Sequence, residues 1–346
     1  MKGSHLAMRL AVLDIGSNTA HLRVADLMPG YPPQPVATLK RPIRLSEDTD
    51  REGFIGRSAI DRLTAAVSEA AAVAARHRVH ELVPFATSAV RDAANRDPIL
   101  AEIQAATGVH VGYLDAEEEA RLTFLAVRQW YGWSAGPILL ADIGGGSMEI
   151  AYGTGENPDL ALSLPLGAGR LTRHRLPDPD NVKKKHRRQL REHVESVLAK
   201  GIGEIPARHR VHHATAVATS KTFYQLARLC GAPKAKTGPY ISRTLRRDDL
   251  RGAIKLLAGK TPGQRAQLPG VSAARARQVL AGAIVADTTM AAFDLACVRI
   301  CPWALREGIL LDRLRHPAGQ ARRLFAIQGG TAYSEGSAPD LSPAAT

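Results

Sequence analysis

The spacing of apolar positions along the first half of the chain predicts one α/β lobe. Short apolar runs between turn residues predict strands, and the 3.6-residue spacing of Ile60, Leu63 and Val67 predicts a helix. Strands and helices then alternate. The predicted elements are strands at 9–15, 20–26 and 36–43, a helix at 58–78, a strand at 81–87, a helix at 98–106, a strand at 109–114 and a helix at 117–131.

The second half of the chain begins in the same way. After a turn-rich segment at 132–137, apolar runs predict three strands, and mostly helical patterns follow. We therefore predict an N-terminal lobe over residues 8–132 and a C-terminal lobe over 133–316, whose final helix can pack back on the N-terminal lobe. Residues 1–7 resemble an expression-tag remnant, and 317–346 are expected to form a weakly ordered tail. The predicted elements of this half are strands at 138–143, 148–152, 160–164, 211–217 and 297–300, a basic helix within 181–200, and helices at 220–229 and 304–315.

The amino-acid composition limits the kinds of molecule that the protein is expected to bind. The 346 residues are 45% hydrophobic, and no apolar stretch approaches the ~20 residues that span a bilayer, so no membrane association is expected. Three cysteines without metal-type spacing indicate thiols in a reducing cytoplasm. The net charge of +13 favours an anionic partner, whereas an aromatic content of 5% argues against nucleic acid.

The tripeptide Asp-Ile-Gly occurs twice, each time between an apolar run and a turn of small residues. Glycine lets backbone N–H groups converge on one concavity, which suits a phosphate group. For the first turn alone, an ordinary Asx turn is an equal alternative. Three consecutive glycines weaken a sheet, so their use in the second turn is close approach to a ligand. The candidate phosphate-binding residues are Gly16, Ser17, Asn18 and Thr19, and Gly144, Gly145, Gly146 and Ser147.

Carboxylates lie beside both turns. Asp14 and Asp142 end the first strand of each hairpin, and Glu149 follows Asp142 by seven residues on the returning strand. An antiparallel hairpin with this spacing can bring two carboxylates to one site, as a hard cation requires. The sequence therefore predicts a site for Mg²⁺, or alternatively Mn²⁺, with Asp142 and Glu149 as ligands and Asp14 nearby.

Further polar residues stand at transitions from strand to helix. Residues 117–119 are all glutamates; the helix dipole ordinarily explains them, but a carboxylate here could also polarise an attacking water. Arg91 follows a strand and offers a forked donor to phosphate oxygens. Ser220 and Lys221 repeat that arrangement in the second lobe.

A basic run could guide the remainder of a polyanion. Residues 183–188 hold three lysines and two arginines, close in sequence to the arginines at 170–175. Such runs are usually solvated faces, and that alternative stays open. The candidate channel residues are Arg170, Lys183, Lys184, Lys185, Arg187 and Lys221.

Five motifs together resemble the exopolyphosphatase/guanosine pentaphosphate phosphatase (Ppx/GppA) family, in its short two-domain form. The resemblance covers roughly residues 8–316. It implies an α/β fold with two ribonuclease-H-like (actin/hexokinase-type) lobes around a central cleft, in agreement with the predicted order of elements. The motifs are Asp-Ile-Gly-Ser-Asn-Thr at 14–19, Thr-Ser-Ala-Val-Arg at 87–91, Glu-Glu-Ala-Arg at 118–121, Asp-Ile-Gly-Gly-Gly-Ser-Met-Glu at 142–149 and Leu-Arg-Glu-Gly-Ile-Leu at 305–310.

The resemblance also implies an activity, namely Mg²⁺-dependent hydrolysis of the terminal phosphate of inorganic polyphosphate. It implies that Glu119 is the base that activates water and that Arg91 is part of the phosphate cradle. Asp142 and Glu149 correspond to the metal-linked carboxylates, with Asp14 nearby. Arg306 matches a C-terminal motif that we interpret as structural or cleft-lining, and the resemblance implies a homodimer.

One turn departs from the family pattern and bears on the substrate. Ala218 and Lys221 stand where many members have glycine, which weakens nucleotide binding at that turn, whereas Lys221 suits a chain of phosphates. Three alternatives stay open. They are a 5′-phosphohydrolase of guanosine pentaphosphate acting in the stringent response, a non-catalytic sensor of polyphosphate or guanosine tetra- or pentaphosphate, and a sugar kinase.

Overall fold

The computed structural model describes residues 8–50, 52–176, 178, 180–203 and 213–316. The expected tag remnant at 1–7 and the expected tail at 317–346 lie outside the described residues, as do 211 and 212 of one expected strand. Within the described part, no helix is both long enough and apolar enough to cross a bilayer.

The first sheet has five strands in the order β3-β2-β1-β4-β5. β1 pairs antiparallel with β2 and parallel with β4. Leu13 and Ile15 of β1 pack under the first-lobe helices, and Leu10 and Val12 pack on the opposite face. The strands are β1 (Met8–Ile15), β2 (Thr19–Leu27), β3 (Gln34–Pro42), β4 (Glu81–Ala86) and β5 (Gly112–Tyr113), and the helices are α1 (Arg57–Arg76), α2 (Ser88–Arg91) and α3 (Arg96–Thr107).

The second sheet repeats this topology. Its order is β10-β11-β9-β6-β7-β8, and β6 pairs antiparallel with β7 and parallel with β9. The strands β6 to β9 therefore correspond to β1 to β4, so that the two glycine turns occupy equivalent places. The strands are β6 (Ile138–Ile143), β7 (Met148–Gly153), β8 (Leu160–Leu164), β9 (Thr215–Thr219), β10 (Thr244–Arg246) and β11 (Cys297–Ile300).

Seven helices of the described chain accompany the second sheet, and one of them is buried on every side. α11 is buried along almost its whole length because α5, α6, α7 and α8 all pack around it. These helices are α5 (Ala168–Arg175), α6 (Lys184–Gly203), α7 (Ser220–Leu229), α8 (Arg247–Ala258), α9 (Pro262–Arg265), α10 (Ala273–Ala276) and α11 (Val279–Ala292).

Two further helices cross between the lobes. α4 (Ala116–Tyr131) ends the first half of the chain but contacts β6, β7 and β8 of the second sheet. α12 (Leu305–Arg315) ends the second half but contacts β1 and β2 of the first sheet. The two helices also pack on each other. The final helix thus lies against the first lobe, and each lobe covers part of the other's sheet.

The observed elements differ from the sequence expectation at several places. Within the described residues, the strand expected at 211–217 is β9 at Thr215–Thr219, and the helix α5 was not expected. Two short strands differ as well. The strand expected at 109–114 pairs only at Gly112 and Tyr113. β10 was not expected; it adds an antiparallel edge beside β11 through three residues. Both segments are too short for periodicity to distinguish them from loops.

Candidate active site

The two glycine turns have the same backbone geometry. The Gly16 N–H donates to the Thr19 carbonyl at 3.1 Å, and the Gly144 N–H donates to the Ser147 carbonyl at 3.0 Å. A Cβ atom at Gly145 would overlap the side chain of Ser17. The turns therefore meet across the cleft, as closely as glycine allows.

Neighbouring segments hold the second turn in place. The Ala168 and Arg170 N–H groups, at the start of α5, donate to the carbonyls of Gly144 and Gly145 at 3.0 and 2.9 Å. A Cβ atom at Gly146 would overlap Ser88 of the first lobe. Asn18 of the first turn is buried, and its carbonyl accepts two backbone N–H groups from residues 43 and 44.

Asp142 and Glu149 stand directly opposite each other on β6 and β7. Paired residues of an antiparallel ladder share a face, so both carboxylates project to one side of the sheet. Glu149 accepts a hydrogen bond from Ser163 Oγ at 3.1 Å, and Asp142 is hydrogen-bonded to Ser220. Ser220 has a φ of 88°, a value that a non-glycine residue rarely adopts, so the backbone is strained where this hydroxyl meets the carboxylate.

Burial raises the pKa values of both Asp142 and Glu149. Burial raises the pKa of Asp142 to about 7, and the nearby Glu119 and Asp14 charges add to the rise. Burial also raises the pKa of Glu149 to about 7, with Asp142 as the second cause. The surroundings therefore do not balance the charge of the deprotonated pair, and a bound cation would stabilise that form.

The three glutamates of α4 have different surroundings. Glu117 is exposed, whereas Glu118 forms an ion pair with Arg121 at 2.6 Å. Glu119 accepts a hydrogen bond from Arg91 at 3.1 Å. Burial and Glu149 raise the pKa of Glu119 well above its ordinary value, and Arg91 opposes them. The structure thus brings Glu119, Arg91 and the carboxylates of β6 and β7 together.

Asp14 is paired with an arginine from the last helix of the described chain. Its Oδ2 atom accepts a hydrogen bond from Arg306 of α12 at 2.8 Å. Glu307, the next residue, pairs with Arg23 of β2 and accepts the Ala304 N–H. The C-terminal motif therefore joins the second half of the chain to the first sheet beside the candidate site.

The hairpin register places further polar residues beside Asp14. Across β1, β2 and β3, the directly opposed residues are Asp14, His21 and Lys40. The equivalent row of the second sheet is Asp142, Glu149 and Ser163. His21 and Lys40 were not predicted. Extending the hairpin pairing from the first turn by counting would have indicated His21. It would not have indicated Lys40, because the register between β2 and β3 shifts at Val24 and Ala25.

A group of cations from both lobes surrounds this row. Burial lowers the pKa of Lys40, and Arg306 and Arg275 lower it further. Burial and then Lys40 and Arg275 lower the pKa of Lys221. Their charges therefore share one region, which includes Lys221. Arg275, on the short helix α10, belongs to no sequence motif that could have indicated it.

Two donors beside the site lack an acceptor among the described residues. They are Arg306 Nε and Gln278 Nε2, both shielded from solvent. An unpaired buried donor costs on the order of 1–3 kcal/mol. An anionic ligand would remove that cost by accepting both N–H groups.

The basic residues predicted to form a channel are divided between two places. Arg170 bridges the lobes through an ion pair with Asp92 at 2.8 Å, and Asp92 also accepts from Arg91 at 3.1 Å. The basic run begins α6, where side chains 183–185 are exposed. Arg187, in the same turn, is half-buried. Nothing in the described contacts joins this run to the glycine turns.

The carboxylates of the site fit a hard divalent cation that is held partly by these side chains and partly by a bound anion. Among the described residues, no three His, Cys, Asp or Glu side chains group closely enough to hold a metal by themselves. Mg²⁺ is ordinarily bound through one or two carboxylates together with water and substrate phosphates. The opposed Asp142 and Glu149 match that requirement, while Asp14 is already engaged by Arg306.

The fold and the two glycine turns define a two-lobed, actin-like α/β protein with an acidic centre. The model of the Ppx/GppA phosphatase family matches residues 23–316, and the chain belongs to that family.

Curated relatives agree over most of the chain. Exopolyphosphatase 1 of Mycobacterium tuberculosis is 48% identical over 307 residues, which cover 89% of this chain and 88% of the relative. Exopolyphosphatase 1 of Mycobacterium leprae is 47% identical and covers 89% and 90%. Among solved structures, an exopolyphosphatase from Cytophaga hutchinsonii superposes with a TM-score of 0.78 at 24% identity, covering 89% of this chain and 98% of that one. The predicted family and fold class are confirmed.

Proposed function

We propose that this protein is an exopolyphosphatase that hydrolyses the terminal phosphoanhydride bond of inorganic polyphosphate. The observation that carries the proposal is the position of Glu119. It is a buried carboxylate whose charge interacts with Glu149 and Asp14 beside the meeting point of two glycine turns. A protein that only bound phosphate would gain nothing from a carboxylate there. The names of the mycobacterial relatives support the same activity.

Glu119 has the properties of a general base. Its raised pKa brings proton affinity closer to neutral pH, where a base is most effective. Arg91 holds the carboxylate at 3.1 Å and keeps it oriented. Glu119 would accept a proton from the water that attacks the terminal phosphorus in line.

The turns and the surrounding cations would bind the substrate. Backbone N–H groups of the two glycine turns would donate to phosphate oxygens. Lys40, Lys221 and Arg275 would offset the charge of the neighbouring phosphates. After burial, the Arg275 charge contributes to lowering the pKa of both lysines, which supports a shared cationic region. Asp142 and Glu149 would hold Mg²⁺, which when bound offsets charge on the phosphoryl oxygens. Ser220 and Ser163 orient these two carboxylates.

The test is phosphate release by the purified chain with Mg²⁺ from tripolyphosphate, long polyphosphate and guanosine pentaphosphate. We expect release from polyphosphate, and we expect Glu119→Gln to lower kcat by about 10²–10⁴-fold. Glu117→Gln is the matched control, since Glu117 lies in the same helical turn but is exposed. It should retain the activity of the unmodified chain.

Two outcomes would contradict the proposal. A higher kcat/KM for guanosine pentaphosphate than for any polyphosphate would make the protein a nucleotide phosphohydrolase. Tight binding of polyphosphate without release of phosphate would make it a sensor.

A further inference from the structure

A second cationic cavity lies on the second lobe, away from the glycine turns. Its volume is about 320 Å³. It lies between α6, α8 and α11 and shares no residue with the candidate active site. Four cationic side chains and one carboxylate line it, together with one apolar residue; the lining residues are Arg191, Arg247, Arg251, Ile254, Lys255 and Asp287.

Three arginines of this cavity converge on one buried carboxylate. Asp287 is only 2% exposed, and its oxygens lie 2.7 Å from Arg191 and 3.0 Å from Arg247. Arg251 approaches the same carboxylate at 3.6 Å. A carboxylate offers two oxygens and one negative charge, whereas each guanidinium offers five N–H donors and one positive charge.

The neighbouring groups do not neutralise the remaining charge. Arg251 also approaches Asp248 at 3.4 Å, but the Asp248 side chain is 82% exposed and such pairs contribute little. Arg191 donates to the uncharged Thr288 hydroxyl at 3.3 Å. The cavity is therefore strongly cationic, and Asp287 holds its guanidinium groups in fixed positions.

We propose that this cavity is a second binding site, for an oligoanion built of phosphate groups, separate from the site of hydrolysis. Guanidinium forks match the oxygens of phosphate, and prior alignment on Asp287 lowers the entropy lost on binding. The volume suits a small ligand or one segment of a long one. A neutral ligand would leave the excess positive charge unbalanced.

Helix α11 connects this cavity to the candidate active site. Gly282, five residues before Asp287 and about 8 Å away along the helix axis, contacts Thr222 and Ala168. Ala168 in turn donates its N–H to Gly144 of the second turn. A short free oligophosphate could therefore occupy the cavity by itself, or one long chain could reach it from the active site.

The experiment is calorimetric titration of the full chain carrying Glu119→Gln, so that no turnover occurs, with tripolyphosphate as the probe. We expect two sites per chain. Arg251→Gln or Lys255→Gln should weaken one of them at least fivefold and leave the other unchanged. Arg251 is 52% exposed, so its replacement is compatible with folding. Arg57→Gln, which removes an exposed arginine of α1 in the first lobe, should leave both sites unchanged.

A parallel titration with long-chain polyphosphate distinguishes the two sources of the ligand. A fivefold or greater loss of long-chain affinity in Arg251→Gln would show that one chain spans both sites. Loss of the tripolyphosphate site with unchanged long-chain affinity would assign the cavity to a free ligand. Tripolyphosphate binding, at one site or at two, that Arg251→Gln and Lys255→Gln both leave unaltered would overturn the proposal, whereas a single site that both variants weaken would support it without the active site. Because binding alone is measured, these outcomes do not depend on whether the protein hydrolyses polyphosphate.

Discussion

Gly308 of α12 lies against the backbone carbonyl of Leu122 of α4, so close that a Cβ atom at 308 would stand 2.6 Å from the carbonyl carbon. These are the two helices that cross between the lobes. Only glycine permits such an approach of two backbones. The packing of the lobes on each other therefore depends on the absence of a side chain at this position.

Replacing this glycine should destabilise the protein. Gly308→Ala forces α4 and α12 apart, and we expect the free energy of unfolding to fall by about 1–3 kcal/mol, as for overpacked cores. Urea unfolding followed by circular dichroism measures the change. Gly252→Ala is the control, because a Cβ atom there meets nothing within 4 Å in the helix α8. It should be neutral or stabilise by up to about 1 kcal/mol. Equal stability of the two variants would show that the helices separate without cost.

The contact between the glycine turns makes a second prediction. A methyl group at Gly145 overlaps Ser17 of the opposite lobe, so Gly145→Ala should hold the turns apart. We expect kcat/KM for tripolyphosphate to fall at least tenfold while the unfolding midpoint changes little. Gly155→Ala, where the nearest atom lies at 3.9 Å, is the matched control and should retain activity. Full activity of Gly145→Ala would mean that the turns need not meet during turnover.

The environment of Glu119 predicts the acid limb of the pH profile. A general base acts only when deprotonated, so activity should rise with pH through the pKa of Glu119. Burial and Glu149 raise that pKa above the ordinary value of 4.5, whereas Arg91 lowers it. Arg91→Gln should therefore move the acid limb of kcat/KM to higher pH, and Arg91→Lys, which keeps the charge, should move it less. An acid limb that is the same in all three proteins would exclude Glu119 as its origin.

The buried carboxylate pair predicts how stability depends on pH. The pKa of Asp142 is about 7 in the folded protein and 3.8 ordinarily. The folded state therefore binds more protons than the unfolded state between about pH 4 and 7, and stability falls as the pH rises through this window. Without metal, the stability advantage of Asp142→Asn over the parent should grow by on the order of 1–3 kcal/mol between pH 5 and pH 8. Thermal melts in EDTA at both pH values measure this.

Adding Mg²⁺ should reverse the order of the two proteins at pH 8. A cation bound by deprotonated Asp142 and Glu149 stabilises the parent more at pH 8 than at pH 5, because protons compete with it at the lower pH. Asp142→Asn should lose most of this stabilisation. A melting temperature shift from Mg²⁺ that is equal in both proteins would place the cation elsewhere.

The repeated hairpins, the long helices and the family could be predicted from the sequence because each depends on residues that are close together along the chain. Asp14, Gly16, Asp142 and Glu149 lie within hairpins, where spacing along the chain translates into register. Residue type alone could not predict that the three glutamates at 117–119 have different surroundings. The dipole of α4 favours all three, and only packing decides which one faces Arg91.

The sequence by itself determined the two lobes, their glycine turns and the acidic residues at the strand ends, since these follow from short apolar runs between turns and from conformations that only small residues adopt. Only the tertiary structure decided which charges meet. Arg306 reaches Asp14 across 292 residues, Arg275 and Lys40 approach one region from different lobes, and three arginines converge on Asp287. Such pairings depend on how the crossing helices and the two sheets pack, and no spacing along the chain encodes that geometry.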